Sequence, residues 1–384
     1  MIILARLHRE VALCLFSDGL LLVPINSSFF GSFFAPVMIF RPHRLLNQAH
    51  LQTIGGYVFG GRSAGYSATK RKVDLFDGDQ LVIHDDRPQS WQEGDRIVIL
   101  LHGFCGNHAS PYMQRLAKKL EQRSVRAIRI DFRGFGDSTF VSRSHLYGGC
   151  SHDVESVVQH VHELSPDSNL SLVGFSIGGN ILMKLLGEWG SSYPEYIDGA
   201  VAVSPPVDLV YASWNLRKLG NRFYEANFVN TLKRTLTQRR KKVSGLLDTG
   251  MKPLPNRLMQ WDEQLTAPIW GFDNATDYYE KCSAGPLLGQ VQVPTLMLWA
   301  KDDPIVPNDS YQRFGVSRSI EILETEHGGH LGFVGRSSGD DDRFWMDWRI
   351  LEWLNIQWLA NKDAQPSRLI VDPEELRKLE LGIG

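Results

Sequence analysis

The sequence predicts an α/β fold, with a mostly parallel central sheet, helices on both faces and one helical insertion. Three observations predict it. Short apolar runs recur along the chain, at 96–101 (RIVILL), 125–131 (VRAIRID), 170–174 (LSLVG), 199–204 (GAVAVS) and 295–300 (TLMLWA). Amphipathic segments long enough for helices lie between them. One stretch, residues 210–292, breaks the alternation and reads as mostly helical. Runs that are apolar on both faces suit buried parallel strands, and strand–helix–strand repetition argues for a doubly covered sheet.

In chain order, the helical segments between these strands are 112–122, 152–164 and 177–189. Residues 210–292 are too long for a structureless loop in a compact domain, so they are read as a helical cap inserted over the site. A strand is expected at 320–323 and a last helix carries Phe344, Trp348, Leu351, Leu354 and Trp358 at three- and four-residue steps. That aromatic stripe is expected to face the core. Residues 38–384 are taken as one domain with the cap at about 210–292, and residues 1–37 as an extension whose status the sequence leaves open. The charge-free run 19–40 is long enough to cross a bilayer, but Pro24, Asn26, Ser32 and Pro36 interrupt it. Acidic residues also stand where a secretory signal needs positive charge. An appended or disordered segment, a membrane-surface segment within residues 1–40, and translation starting at Met38 stay open.

Composition excludes several classes. Hydrophobic residues make up 43 % and charged residues 22 % of 384, and the net charge is −2. This is the profile of an ordinary globular protein with no global attraction to nucleic acid. Cys14, Cys105, Cys150 and Cys282 are widely spaced, without a C-x-x-C pair or a metal-ligand cluster. They read as free thiols of a reducing compartment, which points to the cytoplasm. No phosphate- or dinucleotide-binding glycine pattern and no repeat is present, so neither a metal nor an organic cofactor is expected.

The chemistry concentrates in three loops after strands. Gly174-Phe175-Ser176-Ile177-Gly178 follows the run LSLVG and opens a helix. A tight strand-to-helix turn needs small residues two before and two after the serine, and it lifts the hydroxyl clear of the sheet. A serine attacks well only beside a base that a third group orients. The acid is expected after the strand TLMLWA: Asp303, which directly precedes a proline turn, is preferred to Asp302. The base is expected in Glu326-His327-Gly328-Gly329-His330, with His330 preferred to His327 because glycines flank it. The oxyanion needs preorganised donors; the backbone N–H groups of Ile177 and Phe104 are the candidates. Cys105, in the same loop as Phe104, is a weaker nucleophile candidate because it has no base or elbow of its own. The loop Asp131–Ser138 is read as structural support.

These residues resemble those of the YheT-like branch of the α/β-hydrolases (AB-hydrolase family four) over about 39–360. The resemblance rests on Asn47-Gln48-Ala49-His50-Leu51-Gln52-Thr53, the H-G-F-C-G-N and G-F-S-I-G-G-N segments, D-D-P-I-V-P and H-G-G-H-L-G-F. Gly271-Phe272, Asp277-Tyr278-Tyr279 and Ser283 in the insertion add to it. It implies a serine-hydrolase triad, here Ser176, Asp303 and His330, and an esterase-like activity on small-molecule or lipid-like esters. The family normally begins near the H-L-Q-T segment, so the first 37 residues depart from it.

The cap is expected to set substrate choice. Its first half carries Arg217, Lys218, Arg222, Lys233, Arg234, Arg239, Arg240, Lys241 and Lys242 against Glu225. This reads as a solvated face, or as a surface that attracts anionic substrates or headgroups. Trp214, Phe223, Tyr224 and Phe228 interleave with these charges and are candidates for an acyl pocket or for cap packing. The expected reaction is hydrolysis of medium-chain or lipid-like esters. An acyltransferase with the same triad, and a non-catalytic binding protein on the same fold, are the alternatives.

Overall fold

A computed structural model describes residues 39–60, 68–336 and 340–361, and the backbone of three strands near the N-terminus. The chain divides into two compact units. In the first, β1 (Ala5–Arg6), β2 (Val11–Phe16) and β3 (Gly19–Pro24) form an antiparallel sheet, with Val11 opposite Pro24 and Phe16 opposite Gly19. Part of the apolar run considered as a spanning segment is therefore extended and paired. No helix among the described residues is long and apolar enough to cross a membrane. The rest of residues 1–37, and the expectations attached to it, lie outside the described residues.

The second unit begins with α1 (Ala49–Val58) and the strands β4 (Thr69–Asp74) and β5 (Gln80–Asp86). Then follow β6 (Ile97–Leu101), α2 (Pro111–Glu121), β7 (Arg126–Asp131), α3 (Ser151–Leu164), β8 (Leu170–Phe175), α4 (Ile177–Trp189) and β9 (Ile197–Val203). After the insertion come β10 (Thr295–Ala300), β11 (Ile320–Thr325) and a final long helix, Trp345–Ala360. Among the described residues one eight-stranded sheet forms, in the order β11-β10-β9-β8-β6-β7-β5-β4. β6 to β11 run parallel, whereas β4 pairs antiparallel with β5, and β5 with β7.

Period-two alternation builds two cores. In β6, Ile97, Ile99 and Leu101 join the face covered by α3 and α4, while Val98 and Leu100 join the face covered by α2 and the final helix. The apolar run 125–131 hides two cations: Arg126 pairs with Asp85 at 2.7 and 2.8 Å, and Arg129 with Asp86 at 2.6 and 3.1 Å. Both acids come from β5, so the antiparallel neighbour neutralises buried charge that a parallel apolar strand would leave alone. In the final helix Leu351, Leu354 and Trp358 are buried as the stripe requires. Phe344 and Trp348 are only half-buried; Arg115 lies 3.7 Å over the ring of Phe344 and Lys119 4.6 Å over that of Trp348.

The chain order places the site. After β6 the sheet grows first toward β7 and then, on the other side, toward β8. The loops leaving β6 and β8 therefore diverge at the carboxyl ends of neighbouring strands and open a crevice, the position at which open α/β sheets bind ligands.

The segment between β9 and β10 is helical: α5 (Leu209–Leu216), α6 (Arg222–Lys242), α7 (Leu258–Trp261), a π-helical turn (Asp262–Thr266), α8 (Ala267–Trp270) and α9 (Ala275–Cys282). Asp208 and Asn274 cap α5 and α9 by accepting the N–H groups of Tyr211 and Asp277. The final helix, Trp345–Ala360, is α10.

Candidate active site

Ser176 sits between β8 and α4 with φ +52° and ψ −123°, a conformation that non-glycine residues rarely adopt. Its glycines are required by contact. A Cβ on Gly174 would lie 2.6 Å from the Gly178 carbonyl oxygen, and one on Gly178 would lie 2.6 Å from that of His102. The turn is tied down because Ser176 N–H donates to Val203 O at 2.8 Å and Asn180 N–H donates to Ser176 O at 3.1 Å.

Three side chains from separate loops meet here. Ser176 Oγ lies 2.9 Å from His330 Nε2, and His330 Nδ1 lies 2.8 Å from Asp303 Oδ2. The other oxygen of Asp303 accepts the N–H groups of Ile305 at 2.8 Å and Val306 at 2.9 Å, which fixes the carboxylate plane. Since a carboxylate only accepts, His330 Nδ1 carries a proton and Nε2 is free to accept from the serine. All three side chains are buried. Asp302 and His327 stand apart from this chain. Asp302 accepts the Gly329 N–H at 2.8 Å, and the exposed His327 ring lies 3.3 Å from its other oxygen.

The loop after β6 closes against the serine, a Cβ on Gly103 lying 3.2 Å from Ser176 Cβ. His102 is fully buried: Nδ1 donates to Gly103 O at 2.7 Å and Nε2 accepts the Phe132 N–H at 3.2 Å. Those partners permit one neutral tautomer, and burial lowers the imidazole pKa to match. Tyr112 accepts the Gly103 N–H at 2.8 Å through its hydroxyl and packs on Phe175. The N–H groups of Phe104 and Ile177 donate to no acceptor among the described residues. Cys105 has φ +58°, and burial pushes its thiol well above the ordinary range.

Asp131 is the hub of the supporting loop. It accepts the His108 N–H (2.6 Å) and Nδ1–H (2.7 Å), the Asp137 N–H (2.7 Å) and His84 Nε2 (3.2 Å). Burial works to raise its pKa, but these bonds outweigh burial and hold it well below the usual carboxylate range. His84, His108, Asp131 and Asp137 also bring ligand atoms within 4.8 Å of one another. Their bonds to each other, and Lys70 on Asp137 at 2.6 Å, account for that crowding.

One supporting element escaped the motif reading. α1 packs directly under the histidine loop. Thr53 Oγ1 accepts the His330 N–H at 2.9 Å, and buried Gln52 accepts the Val334 N–H at 2.8 Å while donating to Val334 O at 3.0 Å. The close fit shows in the glycines, since a Cβ on Gly329 would lie 2.4 Å from Ala49 O and one on Gly332 2.3 Å from Gln52 O. The H-L-Q-T segment was the available signal, but only the fold reveals what it touches.

Ser176 opens on two spaces. An inner cavity runs beneath the inserted helices and is lined by Ile177, Leu232, Leu236, Trp261 and Leu265. An outer cleft passes between α1 (Ile54, Tyr57, Val58) and α6 (Phe223, Tyr224), with Phe228 facing both spaces. Trp214 lines neither and is exposed.

Comparison with known proteins shows the family. A sequence model of the alpha/beta hydrolase fold family matches residues 96–336. The chain is 30 % identical over 319 residues to YheT of Escherichia coli (strain K12), named provisionally as an esterase, covering 82 % of this chain and 92 % of that protein. It is 26 % identical over 282 residues to a monoacylglycerol lipase of Saccharomyces cerevisiae, covering 71 % of this chain but only 62 % of the yeast protein. Among solved structures, the esterase Pf2001 of Pyrococcus furiosus superposes with a TM-score of 0.50 at 16 % identity, covering 76 % of this chain and 93 % of that one. That last likeness concerns the fold alone.

Proposed function

The chain belongs to the α/β-hydrolase fold family and is a carboxylic ester hydrolase, and we propose that it cleaves medium-chain or lipid-like esters through Ser176, His330 and Asp303. The observation that carries the proposal is the hydrogen-bonded series from Asp303 Oδ2 through His330 to Ser176 Oγ, at 2.8 and 2.9 Å. In the first step His330 Nε2 takes the serine proton as Oγ adds to the ester carbonyl. The unpaired N–H groups of Phe104 and Ile177 receive the oxyanion, and α4 adds the positive end of its dipole. His330 then protonates the leaving alkoxide. In the second step it deprotonates water, which releases the acid and restores the serine.

Two features support a substrate with an apolar chain. The inner cavity offers side chains such as Leu232, Leu236 and Trp261 along its wall. At the mouth of the outer cleft Ile54, Tyr57, Val58 and Phe223 are large apolar residues left exposed, and the insertion that closes the inner cavity acts as a cap.

The test is hydrolysis of p-nitrophenyl esters from acetate to palmitate by the wild type and Ser176→Ala. Turnover that the substitution reduces to background, with an optimum at intermediate length, is expected. Equal activity in both proteins excludes Ser176 as nucleophile, and a flat length profile excludes the apolar-chain reading.

A further inference from the structure

The inner cavity is lined by a buried cation that forms no ion pair among the described residues, the charge of Asp79 acting on it only without direct contact. Arg239 stands in the row Arg239-Arg240-Lys241-Lys242, which the sequence alone leaves open as a solvated face or as a surface that attracts anionic groups. The fold separates it from the others: Lys241 and Lys242 are exposed, whereas Arg239 is 2 % exposed and lines the cavity that also reaches Ser176. Its Nη2 donates to the carbonyls of Ser142 at 2.7 Å and Ser144 at 2.6 Å, and its Nε has no acceptor. No carboxylate among the described residues comes within ion-pair distance of it. His145 lines the same cavity, and its Nε2 is also without a partner. Gly134 makes the room, with φ +79° and with an added Cβ only 2.6 Å from Arg239 Nη1.

The acids in the same lining do not answer this charge. Asp248 is held by Arg240 at 2.6 and 2.9 Å. Asp262 accepts the Tyr279 hydroxyl at 2.6 Å and the Thr266 hydroxyl at 2.8 Å. Burial lowers the Arg239 pKa to about 10, which leaves it a cation at neutral pH. An unpaired buried charge is strongly unfavourable, and two carbonyl oxygens could be bridged as well by a neutral amide. The charge therefore points to an anion that arrives with the ligand.

We propose that Arg239 and His145 form a carboxylate subsite, so that the preferred substrates are monoesters of dicarboxylic acids. The scissile carbonyl lies at Ser176, the methylene chain runs along the apolar wall, and the far carboxylate meets the two nitrogens. The inference rests on the ester-hydrolase reading. Its reaction is ordinary hydrolysis: water is consumed, and the alcohol and the free dicarboxylic acid leave.

The test compares p-nitrophenyl esters in matched pairs, with the same chain ending in methyl or in carboxylate, over several lengths. In the wild type one length of ω-carboxy ester is expected to exceed its neutral partner at least tenfold in kcat/KM. Arg239→Met and His145→Phe are each expected to remove that ratio, and a ratio taken within one protein cancels any general loss from looser packing. Free dicarboxylates are likewise expected to inhibit neutral-ester hydrolysis by the wild type more than the matching monocarboxylates. Ratios near one at every length, together with equal inhibition, overturn the subsite while leaving the hydrolase intact. If no ester of either kind is turned over, the hydrolase reading fails. Calorimetric titration of Ser176→Ala with the free dicarboxylates then decides the subsite alone: binding that Arg239→Met abolishes upholds it, and absence of binding overturns it.

Discussion

Thr53→Val tests whether α1 positions the base. Thr53 Oγ1 accepts the His330 N–H at 2.9 Å and donates to Ala49 O at 2.8 Å. Valine keeps the shape and removes the acceptor, leaving the amide of the base without a partner beneath a buried side chain. An orphaned buried N–H costs about 1–3 kcal/mol. If the loop holds its place, that cost appears as lost stability in urea unfolding. If the loop relaxes to find another acceptor, His330 leaves the line between Asp303 and Ser176 and the cost appears in kcat. At about 1.4 kcal/mol per factor of ten, a cost of about 2 kcal/mol is a loss of up to roughly 30-fold. Thr53→Ser retains the hydroxyl and is expected to retain most of both quantities. The assay is kcat and KM on one soluble ester beside urea unfolding, for wild type and both variants. Because the Thr53 hydroxyl bonds the backbone of the His330 loop and not the N–H groups of Phe104 or Ile177, kcat is expected to fall without a matching rise in KM. If the valine variant matches wild type within twofold in kcat and within 0.5 kcal/mol in stability, the positioning argument is refuted.

Asp303→Asn retains an oxygen for Ile305 and Val306 N–H but turns an NH₂ toward His330 Nδ1, which selects the wrong tautomer. A loss of about 10⁴-fold in kcat is expected, and a loss under tenfold would remove Asp303 from its role. Cys105 is held as the thiol by burial, so iodoacetamide at pH 8 is expected to leave activity unchanged; rapid inactivation that Cys105→Ser prevents would contradict this. Asp262 is a buried carboxyl pushed up to about 6. The folded state holds its proton more tightly than the unfolded one, so its contribution to stability is greatest below about pH 4 and is lost as pH rises to about 6. Asp262→Asn removes this dependence, so the variant is expected to gain on wild type between pH 4 and 6 and to hold that difference above 7. Urea unfolding across that range checks it, and a constant difference would place the Asp262 pKa near its ordinary value.

The sheet and the nucleophile turn were legible because local pattern and tertiary role coincide there. LSLVG is a strand on both criteria, and Gly174 is dictated by backbone contacts within a few residues of Ser176, although Gly178 answers to the carbonyls of Leu101 and His102 at the end of β6. The β4–β5 hairpin was less legible. Its buried His84, Asp85 and Asp86 interrupt the alternation, and only pairing with β7 explains why acids occupy a strand interior. The support given by α1 was illegible for a related reason. Gln52 and Val334 are 282 positions apart, so no local spacing links them. Arg239 was misgrouped because composition shows a run of charge but not which member the helix turns inward.

Of the six non-glycine residues with positive φ among the described residues, Cys105, Ser176, Leu331 and Phe333 lie in the loops that follow β6, β8 and β11, Ser204 directly follows β9, and Ser124 precedes β7. Such conformations cost of order 1–3 kcal/mol each and persist only where surrounding structure over-determines them. Restraints are visible in each of the three site loops. Gly106 N–H donates to Gly103 O at 2.9 Å across Cys105, Val203 O holds Ser176 N–H, and Phe333 N–H donates to Gly328 O at 3.0 Å. These anchors lie on β9 and within the loops, outside the inserted helices. On the proposed reading the reacting geometry is built by the sheet ends and by Gln52 and Thr53 of α1, while the inserted helices, with Ile54, Tyr57 and Val58, shape the spaces offered to a substrate. Substitutions along α5 to α9 should then change KM and chain-length preference more than they change kcat on a small acetate ester, whereas substitutions at Gln52 and Thr53, which hold the His330 loop, should do the reverse. A cavity-wall change such as Leu236→Ala that lowered kcat on acetate as severely as Thr53→Val would show that the insertion also holds the reacting groups in place.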